Sequence, residues 1–354
     1  MDRPGRILSS PATAVRAPSD VCRLGVIGRS GQAGRWAQAA RQAPGWKLGS
    51  CYHPQQDNRW ADFLRQSDAV VIASPTVTHL GYLRKLAKGY RGIVLVEKPA
   101  VSSLKQCRDL LREAPPGFLK RVYVAHNWRF YPWVVKMREI LRRDPDNLVL
   151  AAEFHLTHDF GFKPGYASSW RSKKRSHPVG PAETQGIHWI DLAHHLFGPV
   201  EWVGGGVRRA GRVGSAPDTA SIFLKTKSGV HCAIHTSYVA PVAYYARVVT
   251  SRSILTYSDG VLQIQRQATA RAGRMSRPAA RRTLLKVSLG DLLLQPLLVQ
   301  LKELRALLEG RARRPDLVSI REGMANVAVL EGFAGSLRAK RPLTLAAFYS
   351  RISL

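Results

Sequence analysis

One short segment of the chain concentrates side chains that can exchange protons or bind a metal ion. Residues 180–198 read GPAETQGIHWIDLAHHLFG and contain three histidines and one aspartate. If the second half is helical, His188, Asp191 and His195 share a face, because residues three and four apart are neighbours on a helix. Zinc sites need tight ligand sets, and the chain has no H-E-x-x-H motif. We therefore predict no metal, which leaves proton transfer or packing, and assign His194 and His195 to packing or the helix surface.

Other reactive side chains follow the ends of predicted strands. Ser74-Pro75-Thr76, with His79 after it, follows one buried strand, and Glu97-Lys98-Pro99 follows another. Ligands of open α/β sheets bind at the carboxyl ends of the strands, so these residues should line one crevice. Lys98 precedes a predicted helix, whose dipole disfavours a cation there. A functional reason for Lys98 is therefore favoured over a plain surface lysine.

A glycine turn near the start of the chain offers a place for a phosphate group. Residues 24–27 form a short apolar run, Gly28, Gly31 and Gly34 follow, and an Ala-rich stretch of helical composition begins. Glycines let the backbone approach a pyrophosphate, whose charge then lies at the helix N-terminus. The spacing is G-x-x-G-x-x-G, with Ser30 where a second glycine is often found, so the turn by itself is a weak signal.

Strands and helices alternate along the first half of the chain. After the glycine turn come a strand in WKLGSCY, a buried strand at residues 69–73 and another at residues 93–96. A turn and a helix follow each of the last two, and Ser102 or Ser103 is expected to cap the second of these helices. The alternation predicts a parallel sheet with helices on both faces.

These residues together resemble the glucose-fructose oxidoreductase and inositol dehydrogenase family, also called Gfo/Idh/MocA. The matching segments are VIGRSGQAG, DAVVIASPTVTH, VEKPAVSS and GIHWIDLAHHLFG, followed by DTASIFLKTKSGV and EGMANVAVLEGFAGSLRAKRPLTL. The resemblance covers residues 22–345. E-K-P followed by G-x-H-x-x-D is its specific part, whereas the glycine turn is not.

The resemblance implies an α/β protein of two domains. We expect a Rossmann domain with a doubly wound parallel sheet at residues 21–126. An α+β domain with a large open, mostly antiparallel sheet should follow at residues 127–345, with a basic insertion near residues 266–286. Residues 1–20 are expected to be a disordered leader. Family members commonly assemble through the exposed sheet face of the second domain, so we expect a dimer or tetramer.

The resemblance also implies a reaction, because family members move a hydride between NAD or NADP and a sugar, cyclitol or related alcohol carbon. Oxidation of an alcohol needs a base at the hydroxyl and a cation near the developing alkoxide. By resemblance Lys98 supplies the cation and His188 is the acid or base, although His188 could instead be a buried structural histidine. The predicted cofactor contacts are Gly28, Arg29, Ser30, Gly31, Gln32, Ala33, Ser74, Pro75, Thr76, His79, Glu97 and Lys98. The predicted substrate contacts are Lys98, Asn127, Arg129, Trp170, Arg171, Thr184 and His188, although Asn127 and Arg129 could equally serve the joint between the domains.

One departure from the family pattern affects the predicted chemistry. Four residues before the histidine, family dehydrogenases usually carry an aspartate, and this chain has Thr184 there. A threonine cannot stabilise an imidazolium, and Glu183 could replace the aspartate only if the backbone turns its side chain inward. We keep Thr184 as a predicted catalytic residue of a slower enzyme or one with a different substrate. The alternative is a weakened paralogue that binds a nucleotide as a regulatory or assembly protein.

A second departure concerns the cofactor. Many NAD-binding proteins carry Asp or Glu after the second strand to bind the ribose hydroxyls, whereas SCYHPQQDNRW offers Tyr52, His53 and Gln55. No carboxylate there repels a 2′-phosphate, and Arg29 or Arg59 could pair with one, so NADP is slightly preferred over NAD. The short distance to the next strand also predicts that the usual second helix and third strand are trimmed.

Composition limits the remaining function classes. The 354 residues suffice for two domains, and 45% hydrophobic with 22% charged residues is ordinary for a soluble globular protein. A formal net charge of +30 favours an anionic substrate such as a nucleotide sugar. The charge is densest in RQATARAGRMSRPAARR, residues 266–282, but no nucleic-acid motif accompanies it. Specific nucleic-acid binding is therefore not predicted and stays a third interpretation based on charge alone.

Cysteine usage and hydrophobic segments bear on location. The four cysteines lie far apart without paired spacing, which is typical of a reduced cytoplasmic protein. The N-terminal residues lack the continuous apolar core of a secretory signal. The apolar segment LGDLLLQPLLVQL at residues 289–301 is too short to span a bilayer, so we predict a packed helix and no transmembrane segment.

Overall fold

Two β-sheets organise the chain. The structure is a computed structural model that describes residues 21–29, 31–53, 59–266, 279–288, 291–311 and 316–352. Within these ranges, one sheet has six strands and the other has nine. The predicted fold class, a doubly wound parallel sheet followed by a large, mostly antiparallel sheet, is confirmed. The predicted leader at residues 1–20 and most of the basic run lie outside the described residues.

The first part of the chain alternates strands and helices as predicted. Its elements are β1 (Cys22–Ile27), α1 (Gln32–Gln42), β2 (Trp46–Tyr52), α2 (Trp60–Arg65), β3 (Ala69–Ile72), α3 (His79–Ala87), β4 (Ile93–Glu97), α4 (Leu104–Glu113), α5 (Pro116–Leu119) and β5 (Val122–Ala125). Of the two serines predicted to cap the helix after β4, Ser103 does so, because its side chain accepts a hydrogen bond from the Gln106 amide at 3.2 Å.

The rest of the chain forms the second sheet and then returns to the first. Its elements are α6 (Pro132–Arg143), β6 (Val149–Thr157), α7 (Ile187–Phe197), β7 (Val200–Arg208), β8 (Thr219–Thr226), β9 (His231–Ser237), β10 (Ala243–Thr250), β11 (Ser253–Ser258), β12 (Val261–Arg266), β13 (Arg282–Lys286), α8 (Asp291–Leu308), β14 (Val318–Ser319), α9 (Ile320–Ala339), β15 (Leu343–Thr344) and α10 (Ala346–Ser350).

The first sheet has the order β14-β5-β4-β3-β1-β2, and all neighbours except β14 and β5 are parallel. The central strand β3, AVVI, is buried along its whole length, as expected for a strand with helices on both faces. Between β2 and β3 the described residues carry only the six-residue α2. The trimming predicted from the short spacing is therefore present, and it leaves the carboxyl ends of β1, β3 and β4 side by side.

The second sheet has the order β13-β12-β11-β10-β6-β9-β8-β7-β15, and only the pair β6–β9 is parallel. Aromatic side chains fill the space between this sheet and the helices. Trp133 of α6 stacks on Tyr257 of β11 with ring centroids 4.5 Å apart, and Trp189 of α7 stacks on Phe154 of β6 at 4.8 Å. The described end of the predicted basic insertion is β13, an edge strand paired with β12.

The predicted second domain, residues 127–345, is not one continuous unit, because the chain returns to the first sheet near its end. Helix α8 packs on α1, with Leu297, Leu301 and Leu304 in the same apolar cluster as Trp36. Trp46 Nε1 also donates a hydrogen bond of 2.9 Å to the Leu301 carbonyl. Strand β14 then pairs with β5 at the sheet edge.

The apolar segment predicted to form a packed helix thus forms part of α8. None of the helices that the structure describes is long and apolar enough to cross a membrane. The sequence does not show that α8 packs on the first sheet, because an apolar helix face gives no indication of which sheet buries it.

A buried ion pair joins the two sheets where β5 ends. The Arg129 guanidinium donates two hydrogen bonds of 2.8 Å to the Asp191 carboxylate of α7 and a third, of 3.1 Å, to Glu322 of α9. Asn326 of α9 adds a hydrogen bond of 2.8 Å to Asp191. Burial would raise the pKa of Asp191, but the Arg129 charge outweighs it and holds that pKa below its usual range. The pair therefore stabilises α7 in one orientation against the first domain.

Removing one partner of this pair should destabilise the protein strongly. We expect Asp191→Asn to lower the free energy of unfolding by about 3–5 kcal/mol, because it leaves the Arg129 charge buried without its main partner. Urea titration followed by circular dichroism measures the change. The control is Asp144→Asn, since Asp144 pairs with Arg252 at a surface where the side chains are 41% and 56% exposed. Equal effects of the two substitutions would show that apolar packing alone holds the joint.

Candidate active site

The glycine turn after β1 leaves the N-terminus of α1 open. Gly28 has φ 140°, and a Cβ there would lie 2.8 Å from the Ala73 carbonyl oxygen, so only glycine fits against the end of β3. Gly31, the N-cap of α1, has φ 58°, and no described atom lies within 4 Å of a Cβ placed at Gly31 or Gly34. The first turn of α1 carries no acidic residue. The backbone amides of the helix N-terminus can thus be approached by an anion.

The other residues predicted around this turn differ in exposure. Arg29 is exposed and Gln32 partly exposed, so both side chains can reach a ligand at the turn. Ala33 is buried, and its Cβ packs beneath Gly28, so it supports the turn rather than facing a ligand. Ser30 lies outside the described residues.

The turn after β3 is held together by its own side chains. Ser74 Oγ and Thr78 Oγ1 are 2.7 Å apart, and Thr78 Oγ1 donates to the Pro75 carbonyl at 2.7 Å. Ser74, Pro75 and Thr76 are partly or fully exposed at the end of the strand, beside the glycine turn that packs on Ala73. Their positions agree with the predicted crevice.

His79 was predicted to contact the cofactor, and the structure places it elsewhere. Its ring is fully buried, with Nε2 2.9 Å from the Ser74 carbonyl and Nδ1 3.0 Å from the Pro99 carbonyl. Burial lowers the pKa of His79 despite these carbonyls. The side chain therefore connects the turn after β3 to the turn after β4 from within the protein, and is not available to a ligand.

Glu97 ties the turn after β4 to the helix of the glycine turn. Its Oε1 accepts a hydrogen bond of 2.8 Å from Trp36 Nε1 in α1. Burial raises the pKa of Glu97, against the opposing effects of Trp36 and Lys98. This contact fixes the position of Lys98 relative to the N-terminus of α1.

Lys98 reaches from the first domain to the second. Its Nζ donates a hydrogen bond of 2.9 Å to the Thr184 carbonyl. Burial lowers the pKa of Lys98 to about 8, the Glu97 charge opposes this, and the Arg171 charge lowers it further. An amine with such a pKa can hold or accept a proton near neutral pH.

Thr184 lies in a π-helical turn, Ala182–Gly186, directly before α7. Such turns are rare and occur often at functional sites. The hydroxyl of Thr184 is hydrogen-bonded to the Tyr238 hydroxyl, and its side chain is partly exposed. The turn therefore presents both the carbonyl and the hydroxyl of Thr184 close to Lys98.

His188 follows Thr184 by one turn. Its ring stacks on Trp128 with centroids 4.3 Å apart and planes at 9°. Nδ1 is buried and has no hydrogen-bond partner among the described residues, so this nitrogen is not bound to a backbone carbonyl. Burial and the charges of Lys98 and His126 hold the pKa of His188 well below its usual value, which keeps the ring neutral at pH 7.

Arg129 was predicted as a substrate contact that could equally serve the domain joint, and the structure assigns it to the joint. Its guanidinium is buried and bound to Asp191 and Glu322, so it cannot reach a substrate. Asn127 lies in the same 3₁₀ turn, Asn127–Phe130, and is partly exposed. Asp191 and His194 are also committed to this joint, since Asn326 binds both.

Trp170 and Arg171 lie at the exposed side of the crevice. Trp170 is 46% exposed, and the Arg171 guanidinium stacks over its ring at 4.6 Å. Arg171 contributes to the lowered pKa of Lys98, so the two cations lie within electrostatic range of each other. Within the described ranges, no three or more histidine, cysteine, aspartate or glutamate side chains are grouped to hold a metal.

The sequence analysis missed two buried residues next to Thr184. Tyr238, directly after β9, bonds through its hydroxyl to His177 Nε2 at 3.0 Å. His177 Nδ1 lies 2.9 Å from Glu183 Oε2. Glu183 therefore does not turn toward Lys98, as the predicted replacement of the missing aspartate required. A polar side chain before the π-helical turn and a tyrosine after a strand were the only sequence signals of this group.

The end of β2, where a ribose was predicted to bind, is aromatic and cationic. Tyr52 is buried against Trp60, with centroids 4.8 Å apart in an edge arrangement. Lys85 of α3 lies over the Trp60 ring at 4.3 Å and 3.4 Å from the Tyr52 hydroxyl. Of the other residues predicted here, His53 is partly exposed and Arg59 is exposed. Gln55 lies outside the described residues.

Comparison with known proteins finds one family model and several solved structures that are similar to this chain. Residues 136–262 match the family model of the GFO/IDH/MocA C-terminal domain. A Desulfitobacterium hafniense protein named as a candidate NADPH-dependent oxidoreductase has a similar structure, with a TM-score of 0.78 at 19% identity over 94% of this chain and 99% of that chain.

Two further solved structures are similar. An NAD binding oxidoreductase from Klebsiella pneumoniae gives a TM-score of 0.76 at 17% identity, covering 92% of this chain and 99% of that chain. Levoglucosan dehydrogenase in complex with NADH gives 0.76 at 15% identity with the same coverage. No curated protein matches the sequence. The resemblance to the Gfo/Idh/MocA family is confirmed for residues 136–262, and the solved structures share the fold of the chain.

The environment of Lys98 predicts an unusual titration. We expect acetic anhydride to label Lys98 with a half-maximal rate near pH 8, because the neutral amine reacts and burial favours that form. Mass spectrometry of the labelled peptides, from about pH 6 to about pH 10, measures it. The exposed Lys88 is the internal reference. A midpoint for Lys98 of about 10.4, the value of an ordinary lysine, would contradict the lowered pKa.

Proposed function

We propose that the protein is an NAD(P)-dependent oxidoreductase that moves a hydride between the nicotinamide and the CH–OH or carbonyl carbon of a sugar, cyclitol or nucleotide sugar. The hydrogen bond from Lys98 Nζ to the Thr184 carbonyl carries the proposal. It joins a turn at the carboxyl end of a parallel strand to the π-helical turn of the other domain. A reactive amine thus lies where ligands of such sheets bind.

The residues present fit the cofactor at its phosphates. Gly28 allows the close approach of α1 to β3, and the exposed Gly31 and Gly34 leave the amides at the N-terminus of α1 open to a pyrophosphate. Ser74, Pro75, Thr76 and the turn at Glu97 would line the path toward Lys98. When bound, the nicotinamide would supply or accept the hydride. Levoglucosan dehydrogenase, which shares the fold, is solved with NADH and levoglucosan.

The choice between NADP and NAD depends on the end of β2. Lys85 adds a cation beside the position that usually carries a carboxylate for the ribose of NAD. Together with the exposed Arg29, it supports the slight preference for NADP.

The protein side chains near Lys98 would act on the substrate oxygen. The ammonium form of Lys98 stabilises a developing alkoxide, and the neutral form, available near pH 8, accepts a proton. His188 is neutral, so it can accept or donate one hydrogen bond to a neighbouring hydroxyl. The charge of Arg171 close to Lys98 favours an anionic substrate. The dimer or tetramer and the cytoplasmic location stay predictions.

Cofactor binding can be tested without knowing the substrate. We expect saturable binding of NADPH, and weaker binding of NADH, in a titration followed by nicotinamide fluorescence. Gly28→Ala should weaken both by about tenfold or more, because a Cβ 2.8 Å from the Ala73 carbonyl forces the turn to move. Gly89→Ala is the matched control, since a Cβ there meets no described atom within 4 Å. Binding of neither nucleotide by the folded wild-type protein would contradict the proposal.

Turnover tests the role of Lys98. We expect Lys98→Ala to reduce kcat by about 10²–10⁴-fold and to leave NADPH affinity nearly unchanged, because its charge acts on the reacting oxygen. The rates are measured with a panel of levoglucosan, L-sorbose, inositols and nucleotide sugars, from the absorbance of reduced nicotinamide at about 340 nm. Lys88→Ala, at an exposed site, is the control. A fully active Lys98→Ala enzyme would exclude Lys98 from the reaction, and cofactor binding without turnover would favour a nucleotide-binding regulatory protein.

A further inference from the structure

A continuous chain of hydrogen bonds leads from Thr184 into the second domain. Thr184 Oγ1 contacts the Tyr238 hydroxyl, which lies 3.0 Å from His177 Nε2, and His177 Nδ1 lies 2.9 Å from Glu183 Oε2. Tyr238 and His177 are 1% and 0% exposed. The partly exposed end of the chain is Thr184, whose own carbonyl binds Lys98.

The chemistry of its two ends gives this chain a direction. An ionised Glu183 can only accept, so His177 Nδ1 must carry the proton of that contact. A neutral ring then accepts at Nε2, which makes the Tyr238 hydroxyl the donor there. The Tyr238 oxygen can in turn accept the Thr184 proton. In this tautomer of His177 every donor points toward Glu183, and the Thr184 oxygen retains a lone pair for a donor outside the chain.

We propose that Glu183, His177, Tyr238 and Thr184 form a proton relay that removes the hydroxyl proton of the substrate. This inference rests on the proposed oxidoreductase function. It assigns the substrate proton to the relay and leaves Lys98 as the ammonium that stabilises the developing alkoxide. The relay supplies an imidazole, His177, that is supported by a carboxylate, Glu183. Thr184 alone cannot provide this pair, and the family pattern places its aspartate and histidine at other positions. Thr184 is the member that touches substrate, whereas Tyr238, His177 and Glu183 act through it as positioning and proton-accepting residues.

The proposed step balances. In oxidation the substrate O–H bond breaks and its proton binds Thr184 Oγ1, the Thr184 proton moves to the Tyr238 oxygen, and the Tyr238 proton moves to His177 Nε2. The substrate carbon loses a hydride to the oxidised nicotinamide, which the proposed function supplies, and becomes a carbonyl. His177 ends as an imidazolium whose charge Glu183 balances. In reduction each transfer runs in reverse.

The surrounding groups support a concerted transfer. Burial raises the pKa of Tyr238 above its ordinary value, so the phenol stays protonated at rest and passes a proton only as it receives one. Two cations lie close to the relay: the charge of Arg171 acts on Tyr238, and Lys98 binds the Thr184 carbonyl. His158 stacks on Tyr238 at 5.2 Å, and burial lowers the pKa of His158, so that it adds no charge at pH 7. Tyr166 packs at 6.1 Å from Tyr238.

The backbone holds the middle of the relay in place. The Tyr238 amide donates to the Asp218 carbonyl at 2.8 Å, and its carbonyl accepts from the Gly161 amide at 2.6 Å. The Asp218 carboxylate is occupied by the Ala210 and Gly211 amides at 2.8 and 2.7 Å, so it does not compete for the Tyr238 hydroxyl. The competing explanation is that Glu183 only holds the backbone in place, because it also accepts a hydrogen bond of 3.1 Å from the Val179 amide.

The direction of the chain can be measured in the folded protein without a substrate. We expect long-range ¹⁵N–¹H NMR to show His177 at pH 7 as the neutral tautomer with its proton on Nδ1, assigned by comparison with His177→Gln. Tyr238→Phe should shift the Nε2 resonance, because that nitrogen loses its donor. An imidazolium at rest, or a proton on Nε2, would overturn the relay, since Nε2 could then accept nothing.

Kinetics test whether the chain moves the proton. With an alcohol oxidised by the wild-type enzyme, Thr184→Val and Tyr238→Phe should each lower kcat by about 10²-fold, with unchanged KM and NADPH affinity. They should also alter the solvent deuterium isotope effect on kcat. Thr184→Ser, which retains the hydroxyl, should restore the rate. Tyr166→Phe is the matched control, because this buried hydroxyl has no hydrogen-bond partner among the described residues.

The outcomes separate this inference from the proposed function. An active wild-type enzyme that keeps its kcat and isotope effect in Thr184→Val and Tyr238→Phe retains the function and excludes the relay. A folded wild-type protein that binds neither nucleotide and oxidises no alcohol loses the function, and the relay fails with it. Loss of kcat in both variants, with rescue by Thr184→Ser and the Nδ1 tautomer of His177, supports both.

Discussion

The buried contact between Arg129 and Asp191 is the interaction on which the rest of the site depends. It connects the segment after the last parallel strand to the middle of α7, and its two hydrogen bonds of 2.8 Å form one bidentate contact that leaves little freedom of orientation. Because Thr184 and His188 lie at the start of the same helix, their distance from Lys98 follows from this pair. The charges of Arg129 and Asp191 are both buried, so part of their attraction offsets the cost of desolvation. The contact therefore fixes the orientation of α7 as much as it stabilises the fold.

Burial also sets the protonation of the site. The same desolvation that costs free energy at the domain joint lowers the pKa of Lys98 to about 8 and keeps His188 neutral. The two groups would otherwise be a fixed ammonium and a ring that titrates close to neutral pH. A lysine near its own pKa and a neutral histidine suit a reaction in which an alcohol loses a proton and regains it.

The hydrogen-bonded chain behind Thr184 changes the meaning of the missing aspartate. A threonine at this position looks like a loss when only the sequence is compared with the family pattern. In the structure its hydroxyl continues through Tyr238 to His177 and Glu183, so a carboxylate is still connected to the crevice, three side chains further away. In the proposed relay, Thr184 gives the proton a different route to a carboxylate.

The sequence by itself determined the features that depend on neighbours along the chain. Strand periodicity, the turn that needs Gly28, the cap at Ser103 and the Glu97-Lys98-Pro99 turn are governed by local backbone conformation, so the first sheet and its crevice could be predicted. Only the tertiary structure decided that Arg129 and His79 are internal contacts, that α8 returns to the first sheet, and that Tyr238 meets His177 across 61 residues of sequence. These depend on which distant side chains become neighbours when apolar surfaces pack, and no short-range pattern encodes that choice.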